Sequence, residues 1–245
     1  KNFIYILKAT FEKDYKNYST YRFNIFGELA MNFFFVFMIF YVAISFADIE
    51  SSRLERFDGN YFLFLISGVM VLLFISRILS TAVFFMGSAQ SQGYLESLLA
   101  TKTSLFSVLL GSIAFPYFQS LIRVSILFVF AYIFDSESIN FFQIFDAVFI
   151  LSISVIPFLG LSFVICGFIL IYKKASFLSS FILLGCAVFS GIFFPVSVLP
   201  SFLQTLSLLF PSTASVSLMR ARVIEGIPYN ELYVEFFSLF IYSSI

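Results

Sequence analysis

The chain has 245 residues, of which 60% are hydrophobic and 11% charged, against roughly a quarter charged in soluble domains. So few polar groups cannot cover the surface of a water-soluble globule of this length, so the composition excludes one and points to a surface facing lipid. Lysine plus arginine balance aspartate plus glutamate at 14 each, which gives no pull toward nucleic acid, and the absence of histidine removes the commonest general base and zinc ligand.

Residues 1–22 differ from the rest. They carry Lys1, Lys8, Lys13, Lys16 and Arg22, while Ile4, Leu7, Phe11, Tyr15 and Tyr18 recur at steps of three and four. This spacing predicts an amphipathic helix lying in the plane of the membrane interface; a short soluble helix is the alternative. No charged segment followed by a cleavage site is read here, so no signal peptide is expected.

Apolar runs follow at 23–46, 61–86, 104–134, 144–172 and 177–194, each near the ~20 residues that cross a bilayer core. Pro116 and Pro157 fall inside the third and fourth, and Pro116 is an expected kink. A last run, 231–245, reaches only ~22 Å at about 1.5 Å per residue, so a sixth span is expected to be cut short. The connections are 48–60, 87–103, 135–143 and 173–174.

Basic residues set the expected orientation. Lys1, Lys8, Lys13, Lys16, Arg22, Lys102, Lys173 and Lys174 lie on one side, and Arg53 and Arg56 on the other. Counting Arg220 and Arg222 with the second group still leaves the N-terminus cytoplasmic. Segment 195–228 does not read as a simple loop. Pro195, Pro200 and Pro211 divide an apolar piece at 202–210 that is too short to span. Half-helices dipping into the outer leaflet are expected, with an external surface loop as the alternative.

Catalytic signatures are absent. The chain contains no G-x-x-x-x-G-K-[ST] loop, no G-x-S-x-G elbow and no H-E-x-x-H pair. Carboxylates in the spans reduce to Glu28 and Asp146, near their ends, which gives little basis for a proton-driven carrier. Arg77 and Arg123 lie within spans, where a cation costs at least about 2.5–3.5 kcal/mol. Each either lines a substrate path, meeting an anionic head group, or is held structurally by Glu28 or a carbonyl. Cys166 and Cys186 match no metal or redox spacing and read as small buried hydrophobes. The 39 phenylalanines, with no tryptophan, read as a nucleotide-composition bias, with an aromatic path as the alternative.

Residues 87–103 read GSAQSQGYLESLLATKT. Gly93, Leu95, Glu96, Leu98, Leu99, Ala100 and Thr101 follow a G-T-L-E-x-L-L-x-[ST]-P pattern, with Tyr94 in place of threonine and Lys102 in place of proline. Downstream, Ser190, Gly191, Phe194 and Pro195, then Leu199 and Pro200, follow S-G-x-x-[FY]-P-x-x-x-[LM]-P. Pro211, Arg220 and Gly226 follow a third pattern, whose usual asparagine is Phe210 here. Together, in this order, they resemble type-2 ABC exporter permeases over essentially the whole chain.

The resemblance implies an all-α integral membrane fold: an N-terminal interface helix over 1–22, then a transmembrane domain over 23–245. That domain would hold six spans, a coupling helix at 88–101 and re-entrant half-helices at 195–228. Ser91, Gln92, Gly93, Tyr94, Leu95, Glu96, Leu98 and Leu99 would meet the ATPase. On a helix, Leu95, Leu98 and Leu99 face one way and Gln92 and Glu96 the cytoplasm. Gly191, Phe193, Phe194, Pro195, Pro200 and Pro211 would form the outer gate. Implied partners are a second copy or close paralogue, two ABC ATPase subunits carrying the ATP and Mg, and membrane lipids. The substrate would be a drug-like amphiphile, lipid or glycolipid, alternatively a polysaccharide or lipid-linked glycan, exported across the inner membrane. A channel or scramblase needing no ATP is the rival function, and a structural scaffold a third.

Overall fold

In the computed structural model, which describes residues 2–50, 61–100, 104–136, 139–172 and 177–243, the described residues form ten α-helices joined by turns. They are α1 (Asn2–Thr20), α2 (Arg22–Glu50), α3 (Tyr61–Ser91), α4 (Leu95–Leu99), α5 (Leu105–Phe134), α6 (Gln143–Tyr172), α7 (Phe177–Phe189), α8 (Ser201–Ser207), α9 (Pro211–Val223) and α10 (Tyr233–Ser243). Arg53, Arg56, Thr101, Lys102, Lys173 and Lys174 lie outside the described residues.

A helix that is apolar all round must be surrounded, and α3 is that helix. Phe62 to Val71 are buried without interruption, and α2, α5, α6, α7 and α9 pack around it. Four helices are long and apolar enough to cross a membrane: α2 through Ile25–Ser45, α3, α5 and α6. The bent pair α8–α9 brings the number to five if it counts as one span. Both prolines are accommodated inside continuous helices, Pro116 in α5 and Pro157 in α6.

Three elements differ from the sequence reading. Helix α3 runs on to Ser91 instead of ending near 86, because its polar end is packed: Ala89 is buried and Gln90 Nε2 donates to the Ile169 carbonyl of α6 at 3.0 Å. Helix α7 stops at Phe189, not 194, and its 13 residues reach only about 20 Å. Gly191 ends it by adopting φ +75°, a left-handed conformation that glycine accepts at little cost. The last apolar run begins at Tyr233, two residues later than expected.

The N-terminal helix packs along α5. Gly111 of α5 lets α1 come close, since a Cβ there meets Thr10 Oγ1 at 2.8 Å. Phe11 meets Phe115 edge-on at 5.4 Å, and Tyr15 and Tyr18 close on the same ring at 6.3 and 5.8 Å. Ile4, at the start of the expected stripe, is 73% exposed and outside this contact.

Candidate functional site

The turn between α3 and α4 is built by a backbone requirement. The Gln92 amide donates to the Ser88 carbonyl at 3.0 Å, and Gly93 then turns the chain with φ +74°. Nothing crowds Gly93, so the glycine serves the dihedral and not a close contact. Tyr94 precedes α4, whose five residues are far fewer than the 88–101 helix read from sequence; residues 88–91 belong to α3. Leu95 and Leu98 are half-buried, while Ser91, Gln92 and Glu96 are exposed. Leu99 ends the helix, and its side chain lies outside the described residues.

Tyr94 ties this turn to the bundle. Its hydroxyl pairs with Ser88 Oγ at 3.1 Å, and its ring lines a cleft of about 610 Å³ between α1, α3 and α5. The far end of the cleft is Arg77. Its Nη2 donates to Gln119 Oε1 at 2.6 Å, and Gln119 Nε2 donates to the Glu28 carboxylate at 3.2 and 3.3 Å. The Tyr18 hydroxyl donates to the same carboxylate at 2.9 Å, and burial followed by this carboxylate pushes that hydroxyl above its usual range. Arg77 therefore reaches Glu28 through Gln119, not directly. Arg123 lines a small pocket with Glu28, Arg77 and Gln119, and its Nε donates to Asn32 Oδ1 at 3.0 Å, Asn32 being buried. Gln119 and Tyr18 were not singled out in the sequence as members of a network, because an uncharged glutamine inside a long apolar run gives no signal of its own.

The proline-rich segment holds a second buried cation. Pro195 and Pro200 flank a 3-10 turn at Val196–Val198, and α8 and α9 meet at 90° around Phe210 and Pro211. Phe210 stacks on Phe189 at 5.6 Å and fills the space over Gly185, where a Cβ would meet its ring at 2.8 Å. Phe193 is exposed and Phe194 half-buried; the Tyr61 hydroxyl donates to the Phe193 carbonyl at 3.2 Å. Arg220, counted from sequence among the charges on the outer side, sits on packed helix α9 at 6% exposure. Its Nη2 donates to the carbonyls of Phe64 and Ile192 at 3.2 and 3.1 Å, and its guanidinium lies 3.5 Å over the Phe64 ring. Non-helical backbone inside a bundle needs such donors. Gly68 makes room for them, since a Cβ there meets the Ile192 oxygen at 2.9 Å and Arg220 Nη2 at 3.0 Å.

Arg222, also on α9, pairs with Asp146 at 3.1 Å (Nε to Oδ2). Tyr229, in the turn after α9, donates to Asp146 Oδ1 at 2.5 Å. Burial first, then the Asp146 hydrogen bond, pushes the Tyr229 hydroxyl from 10.0 up to about 12, against the opposing Arg222 charge. A raised folded pKa means the unfolded chain loses this proton first, so the contribution to stability is whole below pH 10 and is lost as pH rises toward about 12. Tyr229→Phe is expected to flatten the fall in thermal stability over that window; a slope equal to that of the parent protein would contradict the assignment.

A bundle of apolar helices long enough to cross a membrane, with a short turn helix on the end of its most buried member, defines a multi-pass membrane transport subunit. The ABC-2 type transporter family model matches residues 1–223, and the chain belongs to that family. No curated protein matches the chain.

Proposed function

We propose that the chain is the permease half of an ATP-driven exporter of amphipathic molecules, with ATP and Mg bound by a separate ABC ATPase that docks on α4. The observation that carries this is the coupling turn. Exposed Gln92 stands in the turn and exposed Glu96 on the five-residue helix that Gly93 joins to α3, the helix that α2, α5, α6, α7 and α9 pack around. A push on α4 would be delivered to the centre of the bundle. The Tyr94–Ser88 and Gln90–Ile169 hydrogen bonds give that push two further points of attachment.

The N-terminus and α4 are cytoplasmic in this reading, in the inner membrane, as the basic flanks require. Two copies pair through α2 and α7, whose outer faces are the least covered. Phe26, Phe34 and Tyr41 on α2, and Phe181 and Leu184 on α7, are exposed. The α8–α9 pair is a re-entrant hairpin closing the outer mouth, with Gly191, Phe193 and Pro195 at its rim. Its support is that both ends of the hairpin lie beside helix starts that follow external loops: Phe193 beside Tyr61, and Val223 beside Gln143, whose Nε2 donates to the Val223 carbonyl at 2.7 Å. Phe210 meanwhile reaches back to Gly185, inside α7.

Co-expression with a cognate ABC ATPase is expected to yield a stable complex that α4 variants weaken. Failure of the intact chain to associate with any ABC ATPase would overturn the proposal.

A further inference from the structure

We propose that the α1–α3–α5 cleft is a lateral binding site for the anionic head group of a membrane amphiphile, with Arg77 as its anion-binding side chain. Helix α3 is almost wholly buried, yet Arg77, Ser80, Phe84 and Ser91 are exposed, at helical steps that put them on one stripe. The first three line the cleft. Its about 610 Å³ lies within the range of sites for small organic ligands. Thr81, Ser88 and Tyr94 line it together with Phe84, Phe85 and Phe115, a mixed lining suited to a polar head carrying an apolar chain.

Charge favours an anion. The ionisable cations and anions on the wall are Lys13, Asp14 and Arg77. Lys13 and Asp14 pair with each other at 3.4 Å, which leaves Arg77 as the balance. Glu28, one glutamine away, offsets part of this charge, but Arg123 lines a small pocket with Glu28 and Arg77, so the three groups together still carry one net positive charge. The guanidinium has five N–H donors in a planar fork suited to phosphate or carboxylate, and the contact with Gln119 uses one of them. An exposed cation along a span is stabilised when an anion meets it. Because Tyr94 lines the same cleft and leads directly into α4, an amphiphile lying along the cleft from Arg77 would reach the residue that precedes that helix. That last link rests on the permease reading; the head-group site itself does not.

The chain contains no tryptophan, so Phe84→Trp places a single reporter in the cleft. The full-length protein in phosphatidylcholine nanodiscs is titrated with phosphatidic acid brominated in its acyl chains, or with equally brominated phosphatidylcholine. Half-quenching is expected at an at least fivefold lower mole fraction of the anionic lipid. Arg77→Gln should bring the two lipids within twofold, while Arg77→Lys keeps the preference. Ser80→Glu, an exposed site one turn away, supplies an internal carboxylate and should abolish the preference without touching Arg77. Equal quenching by both lipids, or a preference that survives both Arg77→Gln and Ser80→Glu, would overturn the site. Displacement of the brominated lipid by inorganic phosphate alone would overturn its assignment to an amphiphile. No ATPase or nucleotide is present, so failure here is separate from failure to bind an ATPase.

Discussion

Arg220→Ala is expected to lower the unfolding free energy in mixed micelles by about 3 kcal/mol or more. Two carbonyls lose a charged donor, each such bond contributing about 1.5–3 kcal/mol, and the emptied volume adds a cavity term. The stacking on Phe64 is lost as well. Relief from burying a cation offsets part of this. Arg220→Met, which restores volume but supplies no donor, should recover only part of the loss, and that remainder isolates the hydrogen bonds. Gly68→Ala approaches the same place from α3. Its new methyl group would lie 2.9 Å from the Ile192 oxygen, which belongs to the backbone and has little freedom to give way. A loss of about 1–3 kcal/mol is expected from such overpacking. Because both substitutions disturb one contact, the double variant should lose less than the sum of the two. Parent-like stability in Arg220→Ala and Gly68→Ala would show that Arg220 does not fasten the broken segment to α3.

Glu96→Lys should act in the opposite manner, leaving the fold alone and stopping the work. Glu96 is exposed on α4, so the change is expected to alter stability by no more than about 0.5 kcal/mol. Reversing one charge at a docked surface opposes the partner's charge, at several kcal/mol in the worst case. With every ~1.4 kcal/mol worth a factor of ten, ATP-driven transport by the assembled complex should fall at least tenfold. Tyr94→Phe tests the next link inward. It removes the hydrogen bond to Ser88 while keeping the ring, so the ATPase should still bind while less of its hydrolysis appears as transport. Full transport by Glu96→Lys would remove α4 from the coupling path.

The long helices were legible because composition alone decides them. Tyr61–Ser91, Leu105–Phe134 and Gln143–Tyr172 fall within five residues of the apolar runs that predict them. The ends of elements were harder to read. Helix α3 continues through Gly87 and Ser88 because packing on α6 stabilises a polar stretch that local propensity disfavours. Helices were expected in the 195–228 segment, but not the burial of α9, whose Ser212, Ser215 and Arg220 are all buried. Arg220 binds the Phe64 carbonyl 156 residues earlier in the chain, a pairing that no local pattern announces. The readable clue was glycine. In a helix it costs about 1 kcal/mol relative to alanine, so its presence hints at close approach. Gly68, Gly111 and Gly185 each mark a place where another element's atoms fill the space of a Cβ. The Arg77 cleft was half visible: the arginine stood out within its span, while Gln119 and Tyr18, which link it to Glu28, did not.

Reconstituted flux tests the central claim most directly. The chain is placed in liposomes with its ABC ATPase, and outward movement of a fluorescent anionic amphiphile is followed. Movement is predicted only when chain, ATPase and ATP are all present, and is lost with an ATPase that binds ATP but cannot hydrolyse it. The same rate from the chain alone, without ATP, would contradict the account and identify a channel or scramblase instead.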